Sequence, residues 1–291
     1  MIQTLQGLHE TVNFENESLI KFYDNIDYEG YPLHWHNSIE IIMPVKNHYV
    51  VTCNQDSIDL REGDILIIQP NVLHQMPAVE GRRYICQASL LPIYSYKMYK
   101  TMYTLLPSVL IITPEMDEEL HGQVQQLLYA IYNENNAISQ TTELSMYVGI
   151  LQILLLVGKF MFAKLAKLND KEAEHQNNIN NFLAICDYIN NHYAERLTLE
   201  EVARKSGYSK YHFDRLFKKY TNESFYQYLN RVRIRNVELL LRDYNLSITE
   251  AAHKSGFSTL SSFIRMFKIF HNCTPSEYRS IHSAKRGNTI S

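Results

Sequence analysis

An α+β chain of several domains is expected here: an amino-terminal antiparallel β-barrel, a helical segment behind it, and an all-α carboxy-terminal domain built on two helix-turn-helix units. Three features carry that expectation. Apolar residues alternate in short runs through the first 110 residues, the period of half-buried strands. Between about 115 and 168 the apolar period becomes helical. Residues 197–228 then recur as 246–278, so one supersecondary module is used twice.

The chain has 291 residues, 45% hydrophobic and 12% aromatic, which is enough core material for two or three modules. Residues 1–12 lack a cationic stretch followed by an apolar run, so no signal peptide is expected. Cys53, Cys86, Cys186 and Cys273 are scattered without Cys-x-x-Cys spacing. That predicts reduced, buried thiols in a cytoplasmic protein rather than a disulfide framework or a zinc site.

In chain order, strands are expected at Ile39-Glu40-Ile41-Ile42-Met43, Tyr49-Val50-Val51-Thr52-Cys53, Ile65-Leu66-Ile67-Ile68 and Arg83-Tyr84-Ile85-Cys86-Gln87. Asn54-Gln55-Asp56, Glu62-Gly63-Asp64 and Pro70-Asn71 are turn signals between them, at intervals suited to a small antiparallel barrel. The spacing His34-x-His36-x3-Glu40, then Gly63-x6-Pro70-x3-His74, resembles the two sequence motifs of the cupin barrel. Residues 1–110 are therefore expected to form a cupin-like barrel. His34 and His36 share a strand face at i, i+2, and with Glu40 and His74 they make a three-His, one-carboxylate set suited to a divalent transition metal. The preferred expectation is instead a pocket for a small polar effector, lined by Trp35, His36, Glu40, His74 and Gln75, with no cofactor.

Two helices are expected in the segment 111–168. Residues 116–132 are amphipathic, and residues 146–165 are apolar on nearly every side, with Gln152 and Lys159 interrupting the run. A clean membrane-spanning length is not expected, and a helix apolar all round must be buried on more than one side. The segment is read as a packing element. Residues 169–178 are polar and lack apolar periodicity, as a linker would.

Each duplicated unit, about 198–220 and 247–270, opens with a capping box, Thr198-x-x-Glu201 or Ser247-x-x-Glu250. Gly207 or Gly256 ends the short first helix, and Ser209 or Ser258 is placed to cap the second. The constant offset of 49 becomes 50 after that serine, which puts one extra residue at the start of the second copy's second helix. Phe213, Leu216, Phe217 and Tyr220, and again Phe263, Met266, Phe267 and Phe270, form one buried stripe per helix. The opposite face carries Lys210, Tyr211, Asp214, Arg215, Lys218 and Lys219 in the first copy, groups that read base edges and phosphates in a major groove. In the second copy it carries Leu260, Ser261, Ile264, Arg265, Lys268 and Ile269, so weaker base readout is expected there.

Residues 224–241 read as one helix capped by Ser224, a rod that would hold the two units at a fixed separation comparable to one turn of DNA, about 34 Å. Charge agrees with this. Residues 179–291 hold 17 Lys+Arg against 10 Asp+Glu, net +7, whereas residues 1–178 hold 11 against 21, net −10. Only the carboxy-terminal part is suited to a phosphate backbone.

At Arg-Leu-Thr-Leu-Glu-Glu-Val-Ala, Gly-Tyr-Ser-Lys-Tyr-His-Phe-Asp-Arg-Leu-Phe-Lys-Lys-Tyr and Thr-Pro-Ser-Glu-Tyr-Arg, within residues 180–281, the chain resembles the AraC/XylS family of bacterial transcription regulators. The resemblance implies an effector-sensing role for the barrel at 1–110, a dimerisation role for the segment 111–168 and a DNA-binding domain at 179–283, followed by a flexible tail at 284–291. It implies base contacts from Tyr211, Asp214 and Arg215, and from Leu260, Ser261, Ser262 and Arg265. Where the family usually has a glycine before the closing Thr274-Pro275, this chain has Asn272, a residue that tolerates a left-handed conformation. The expected function is a ligand-responsive, sequence-specific transcription regulator and not an enzyme, since no glycine-rich phosphate loop or nucleophile elbow is present. Its expected partners are double-stranded promoter DNA, a small effector for which a carbohydrate is the family analogy, a second copy of the chain, and RNA polymerase, with no membrane. The alternatives are a metal-dependent cupin enzyme with an appended domain, and a DNA-binding dimer whose barrel senses nothing.

Overall fold

A computed structural model gives the fold and describes the chain apart from residues 1–4, 7, 11, 13–17, 27–29, 55, 94–95, 97–105, 138, 168–171, 222–223, 272 and 281–291. Asn272, the tail at 284–291 and part of the expected linker lie outside the described residues, as do the side chains of Lys219 and Tyr220. The chain forms two compact units, Met1–Lys164 and Leu165–Ser291.

The first unit is antiparallel. Strands β1 (Leu5–Gln6) and β2 (His9–Glu10) form a small hairpin. The remaining strands are β3 (Ile20–Asn25), β4 (Tyr31–His34), β5 (Ile39–Lys46), β6 (Tyr49–Cys53), β7 (Asp56–Leu60), β8 (Ile65–Ile68), β9 (His74–Met76), β10 (Arg82–Ala88) and β11 (Val109–Ile112). They make a five-stranded sheet in the order β11-β8-β5-β10-β3 and a four-stranded sheet in the order β4-β9-β6-β7. All four expected strands are present, and the turns between them behave as their residues require. Asn54, Gly63 and Asn71 take φ of 57°, 85° and 68°, the left-handed region that Asn and Gly tolerate.

The five-stranded sheet is covered on both faces. Its Ile42, Leu66, Ile68 and Ile85 pack against Tyr31, Tyr49, Val51 and Met76 of the smaller sheet. Its other face, with Ile39, Ile41, Met43, Tyr84 and Cys86, packs against two helices, α1 (Glu118–Asn136) and α2 (Thr142–Lys167). That explains why β5 is buried at six successive positions, while β6, on the outer sheet, alternates buried and half-buried. Asp117 caps α1 by accepting from the Leu120 amide at 2.8 Å. Residues 142–164 of α2 are long and apolar enough to cross a membrane, with mean hydropathy 1.9, despite Gln152 and Lys159. The expectation that they fall short of a spanning length is therefore corrected. Their Met146, Ile150, Ile153, Leu154 and Val157 side is buried against the sheet, as in the core helix of a folded domain.

The expected linker is also corrected: helix α3 spans Glu172–His192. Polar residues without Gly or Pro keep a helix going once one end is packed, and Phe182, Ile185, Cys186 and Ile189 supply that packed stripe. Next come α4 (Leu199–Lys205) and α5 (Lys210–Thr221), then α6 (Phe225–Leu241), and finally α7 (Ile248–Lys254) and α8 (Leu260–His271). Both expected capping boxes are formed, at Thr198/Glu201 and Ser247/Glu250, as is one at Ser224/Gln227. Gly207 and Gly256 take φ of 73° and 84°.

One detail differs from expectation. Helix α5 starts after Ser209, whose Oγ accepts from the His212 amide, but α8 starts two residues after Ser258, and Thr259 Oγ1 accepts from the Ser262 amide. The extra residue of the second copy therefore lies in the turn, and the cap passes to Thr259. Helix α6 serves both units: Phe225 and Tyr228 meet Phe217 at ring-centroid distances of 5.9 and 5.0 Å, while Ile234, Val237 and Leu241 join Phe263 and Phe267 in the second core. With 17 residues it is about 25 Å long.

Candidate functional site

In α5 and α8 the buried stripe and the wet face separate cleanly. Phe213, Phe217, Phe263 and Phe267 are 0–1% exposed. On the opposite side Lys210, Tyr211, Arg215 and Lys218 are exposed, with Tyr211 at 85%, and Asp214 is half-buried. Lys210 pairs with Glu200 of α4, Lys218 sits 2.9 Å from Asp214, and Arg215 Nη2 lies 3.3 Å from His212 Nδ1. These exposed pairs are weak in water, so the cations remain available to a stronger anion. In α8 Leu260, Ser261, Arg265, Lys268 and Ile269 are exposed, and Ser262 is half-buried at the cap. Of the ten expected contact residues, eight are thus exposed and Asp214 and Ser262 are half-buried.

The second site lies inside the first unit. His34 stands opposite His74 in the β4–β9 register, and Glu40 opposite Gln87 in the β5–β10 register. His36 follows β4, so that His34, His36, Glu40 and His74 present donor atoms all within 4.8 Å of one another, and none is more than 1% exposed. Each imidazole has Nδ1 against a backbone carbonyl: Pro32 O at 2.7 Å for His34, Ser38 O at 3.1 Å for His36 and Val72 O at 2.8 Å for His74. A carbonyl only accepts, so each Nδ1 carries the proton and each Nε2 is aimed inward.

Inside, His36 Nε2 lies 2.5 Å from Glu40 Oε2, which also accepts from Gln87 Nε2 at 3.1 Å. Burial opposes the charged form of His36, yet the hydrogen bond and charge of Glu40 outweigh it and raise its pKa. Burial alone would raise Glu40, but the hydrogen bond from His36 and the His74 imidazole beside it hold it well below the usual carboxylate range. Burial, with His74 beside it, pushes His34 down to about 3. Buried Glu40 Oε1 and His74 Nε2 have no hydrogen-bond partner.

Of the five residues expected to line an effector pocket, His36, Glu40 and His74 come together. Trp35 is 1% exposed. Gln75 is exposed on the outward face of β9. Sequence reasoning missed Gln87 and also Glu10, whose carboxylate approaches His34 Nε2 at 3.5 Å.

Two family models match the chain: an AraC-like ligand binding domain over residues 19–145 and a helix-turn-helix domain over residues 202–281. A Bacillus subtilis (strain 168) relative, the uncharacterized HTH-type transcriptional regulator YdeC, is 28% identical over 89% of this chain and 90% of its own length. An uncharacterized HTH-type transcriptional regulator of Staphylococcus aureus (strain COL) is 25% identical over 84% of this chain, which spans only 31% of that longer protein. Among solved structures, ToxT from Vibrio cholerae O395 aligns over 91% of this chain and 97% of its own, with 14% identity and a TM-score of 0.46. The DNA-binding domain of AdpA, in complex with a target DNA, aligns over 36% of this chain and 94% of its own, with 25% identity and a TM-score of 0.35. With its ligand-binding domain ahead of a duplicated helix-turn-helix domain, the chain belongs to the AraC-type HTH transcriptional regulators, which are DNA-binding proteins.

Proposed function

We propose that this regulator reads promoter DNA through α5 and α8 and that occupancy of its amino-terminal domain controls that reading. The carrying observation is the exposure of matching faces on two copies of one module, each held by a phenylalanine core on its far side. Tyr211, Asp214 and Arg215 are the base readers of the first copy. Arg265, Leu260, Ser261 and Ser262 serve the second, while Lys210, Lys218 and Lys268 meet phosphates. On this reading residues 1–110 sense, 111–168 dimerise and 179–283 bind DNA, in a non-enzymatic, cytoplasmic protein. Losing a bidentate base contact costs about 1–3 kcal/mol, so Arg215→Ala and Arg265→Ala should each weaken promoter binding by roughly 5- to 150-fold in a gel-shift titration. Unchanged affinity in both variants would overturn the assignment. A thermal-shift screen of sugars and other small metabolites tests the sensor, since a ligand that binds only the folded state raises its melting temperature.

A second reading concerns the occupant of the histidine cluster, and orphaned buried atoms favour it. Three imidazoles locked by carbonyls, with Nε2 inward, plus one carboxylate, are the donor set of a divalent first-row transition metal. Metal–ligand bonds of about 2.0–2.2 Å require donors about 3–4 Å apart, and the four donors here all lie within 4.8 Å of one another. His34, His36, Glu40 and His74 would hold the ion, which would supply a structural or sensory link across the sheets. Elemental analysis of protein purified without chelator tests this, and metal far below one equivalent per chain would end it.

A further inference from the structure

We infer that Glu10, from the amino-terminal hairpin, is a further ligand of a metal in this cluster, so that metal occupancy and docking of the hairpin are one coupled event. The inference rests on the metal reading above and concerns a residue outside the four that define it. Glu10 is the last residue of β2, and it reaches the site because the hairpin is fixed by its own backbone to the segment carrying the histidines. The Glu10 amide donates to Trp35 O at 2.9 Å, and the Trp35 amide donates to Leu8 O at 2.8 Å. Trp35 lies between His34 and His36 in sequence, so those two bonds set the hairpin directly against the ligand-bearing strand.

The carboxyl group that results is buried against the cluster. Glu10 is 6% exposed, its Oε2 lies 3.5 Å from His34 Nε2, and that oxygen has no hydrogen-bond partner. A buried carboxylate oxygen without a donor costs free energy, and so does a second carboxylate close to buried Glu40. A divalent cation answers both. With Glu40 as its only anionic ligand, a dication among three neutral imidazoles leaves one uncompensated positive charge in a dry site. With Glu10 as well, the site is neutral. Coupling then follows from linkage: if the ion binds more tightly with the hairpin docked, the docked hairpin is favoured by the same factor when the ion is bound.

Cobalt(II) is a suitable probe, because its visible absorption reports coordination. Wild-type full-length protein, Glu10→Gln and His74→Ala would each be titrated with cobalt, and amide hydrogen exchange of residues 5–10 followed with and without it. The expected result is one bound ion per wild-type chain, binding weakened about 10- to 100-fold with an altered absorption band in Glu10→Gln, and loss of binding in His74→Ala. Exchange at residues 5–10 should slow on cobalt addition in the wild type and respond little in Glu10→Gln. Equal affinity, the same spectrum and unaltered exchange, with cobalt still bound and still lost in His74→Ala, would overturn the role of Glu10 and leave the four-residue site standing. No cobalt binding by the wild type would overturn the site itself. The wild-type exchange measurement needs no substitution, so a poorly folded variant does not blunt the test.

Discussion

Gly207 and Gly256 occupy equivalent turns, yet they answer to different forces. Both have φ in the left-handed region, at 73° and 84°, so alanine at either position carries a backbone penalty of about 1–2 kcal/mol. At Gly207 a Cβ would meet nothing within 4 Å, whereas at Gly256 it would lie 2.7 Å from Tyr193 O and 2.8 Å from Ala194 Cα. Gly207→Ala should therefore lose only the backbone penalty, and Gly256→Ala markedly more, in urea unfolding of the carboxy-terminal transition. Equal losses would mean that the close approach to 193–194 does not restrain the second unit. The need for glycine at both turns can be read from the duplicated Lys-Ser-Gly; the crowding of one of them cannot, because it comes from the end of α3, 62 residues away in the chain. The histidine cluster divides the same way. His34, His36 and Glu40 are close in sequence and His74 stands at motif spacing, so all four could be named. Gln87 and Glu10 enter through cross-strand register and a docked hairpin, which leave no mark in local spacing. Gln75 lies outside the cluster for a simpler reason: it adjoins His74, and neighbours on a strand point to opposite faces.

Helix α2 shows what a pattern can and cannot say. Its sequence is apolar all round, which predicts burial on more than one side, but only the side with Met146, Ile150, Ile153 and Val157 is buried in the chain itself. Leu144, Val148 and Leu155 remain exposed at 66%, 43% and 52%, and with half-buried Leu151 between them they follow steps of four, three and four. That is the spacing of a helix-pairing seam, and it suits the proposed dimerisation through a second copy of α2. Replacing Val148 and Leu155 together with Glu should convert a dimer to a monomer in sedimentation equilibrium. The melting temperature of the barrel should stay nearly fixed once measured below the dimer's dissociation constant, since exposed substitutions typically change stability by about 0.5 kcal/mol or less. Ile153→Ala, at a fully buried position, should instead cost about 2–5 kcal/mol. A dimer that survives the double substitution would remove α2 from the interface. Helix α3 was the element lost to sequence reading. Its first turns are polar and suggest a linker, while the stripe Phe182, Ile185, Cys186 and Ile189 that anchors it lies further along. The capping boxes, by contrast, were readable because each is a contact between residues three apart, Thr198 with Glu201 and Ser247 with Glu250.

Charge is distributed so that only one part of the chain is attracted to a polyanion: net +7 over residues 179–291 against net −10 over residues 1–178. The asymmetry separates two kinds of contact that a single affinity would merge. Each phosphate neutralised by a lysine or arginine releases counterions, and the logarithm of affinity then falls with the logarithm of salt concentration by a slope of about −0.9 per contact. A base contact alters discrimination at one position and contributes little to that slope. Lys268, exposed on a face that also presents Leu260, Ser261, Arg265 and Ile269, has the chemistry of a phosphate anchor, whereas Arg215, beside Tyr211 and Asp214, has that of a base reader. Lys268→Ala should weaken cognate and unrelated duplexes alike and reduce the magnitude of the slope by about 1. Arg215→Ala should cost about 1–3 kcal/mol on the cognate duplex alone and relax preference at a single base pair. Binding of labelled duplexes between about 50 and 200 mM salt reads both effects at once. If Lys268→Ala changes sequence preference while leaving the slope intact, the second copy is a base reader equal to the first, and the division of labour between α5 and α8 is wrong.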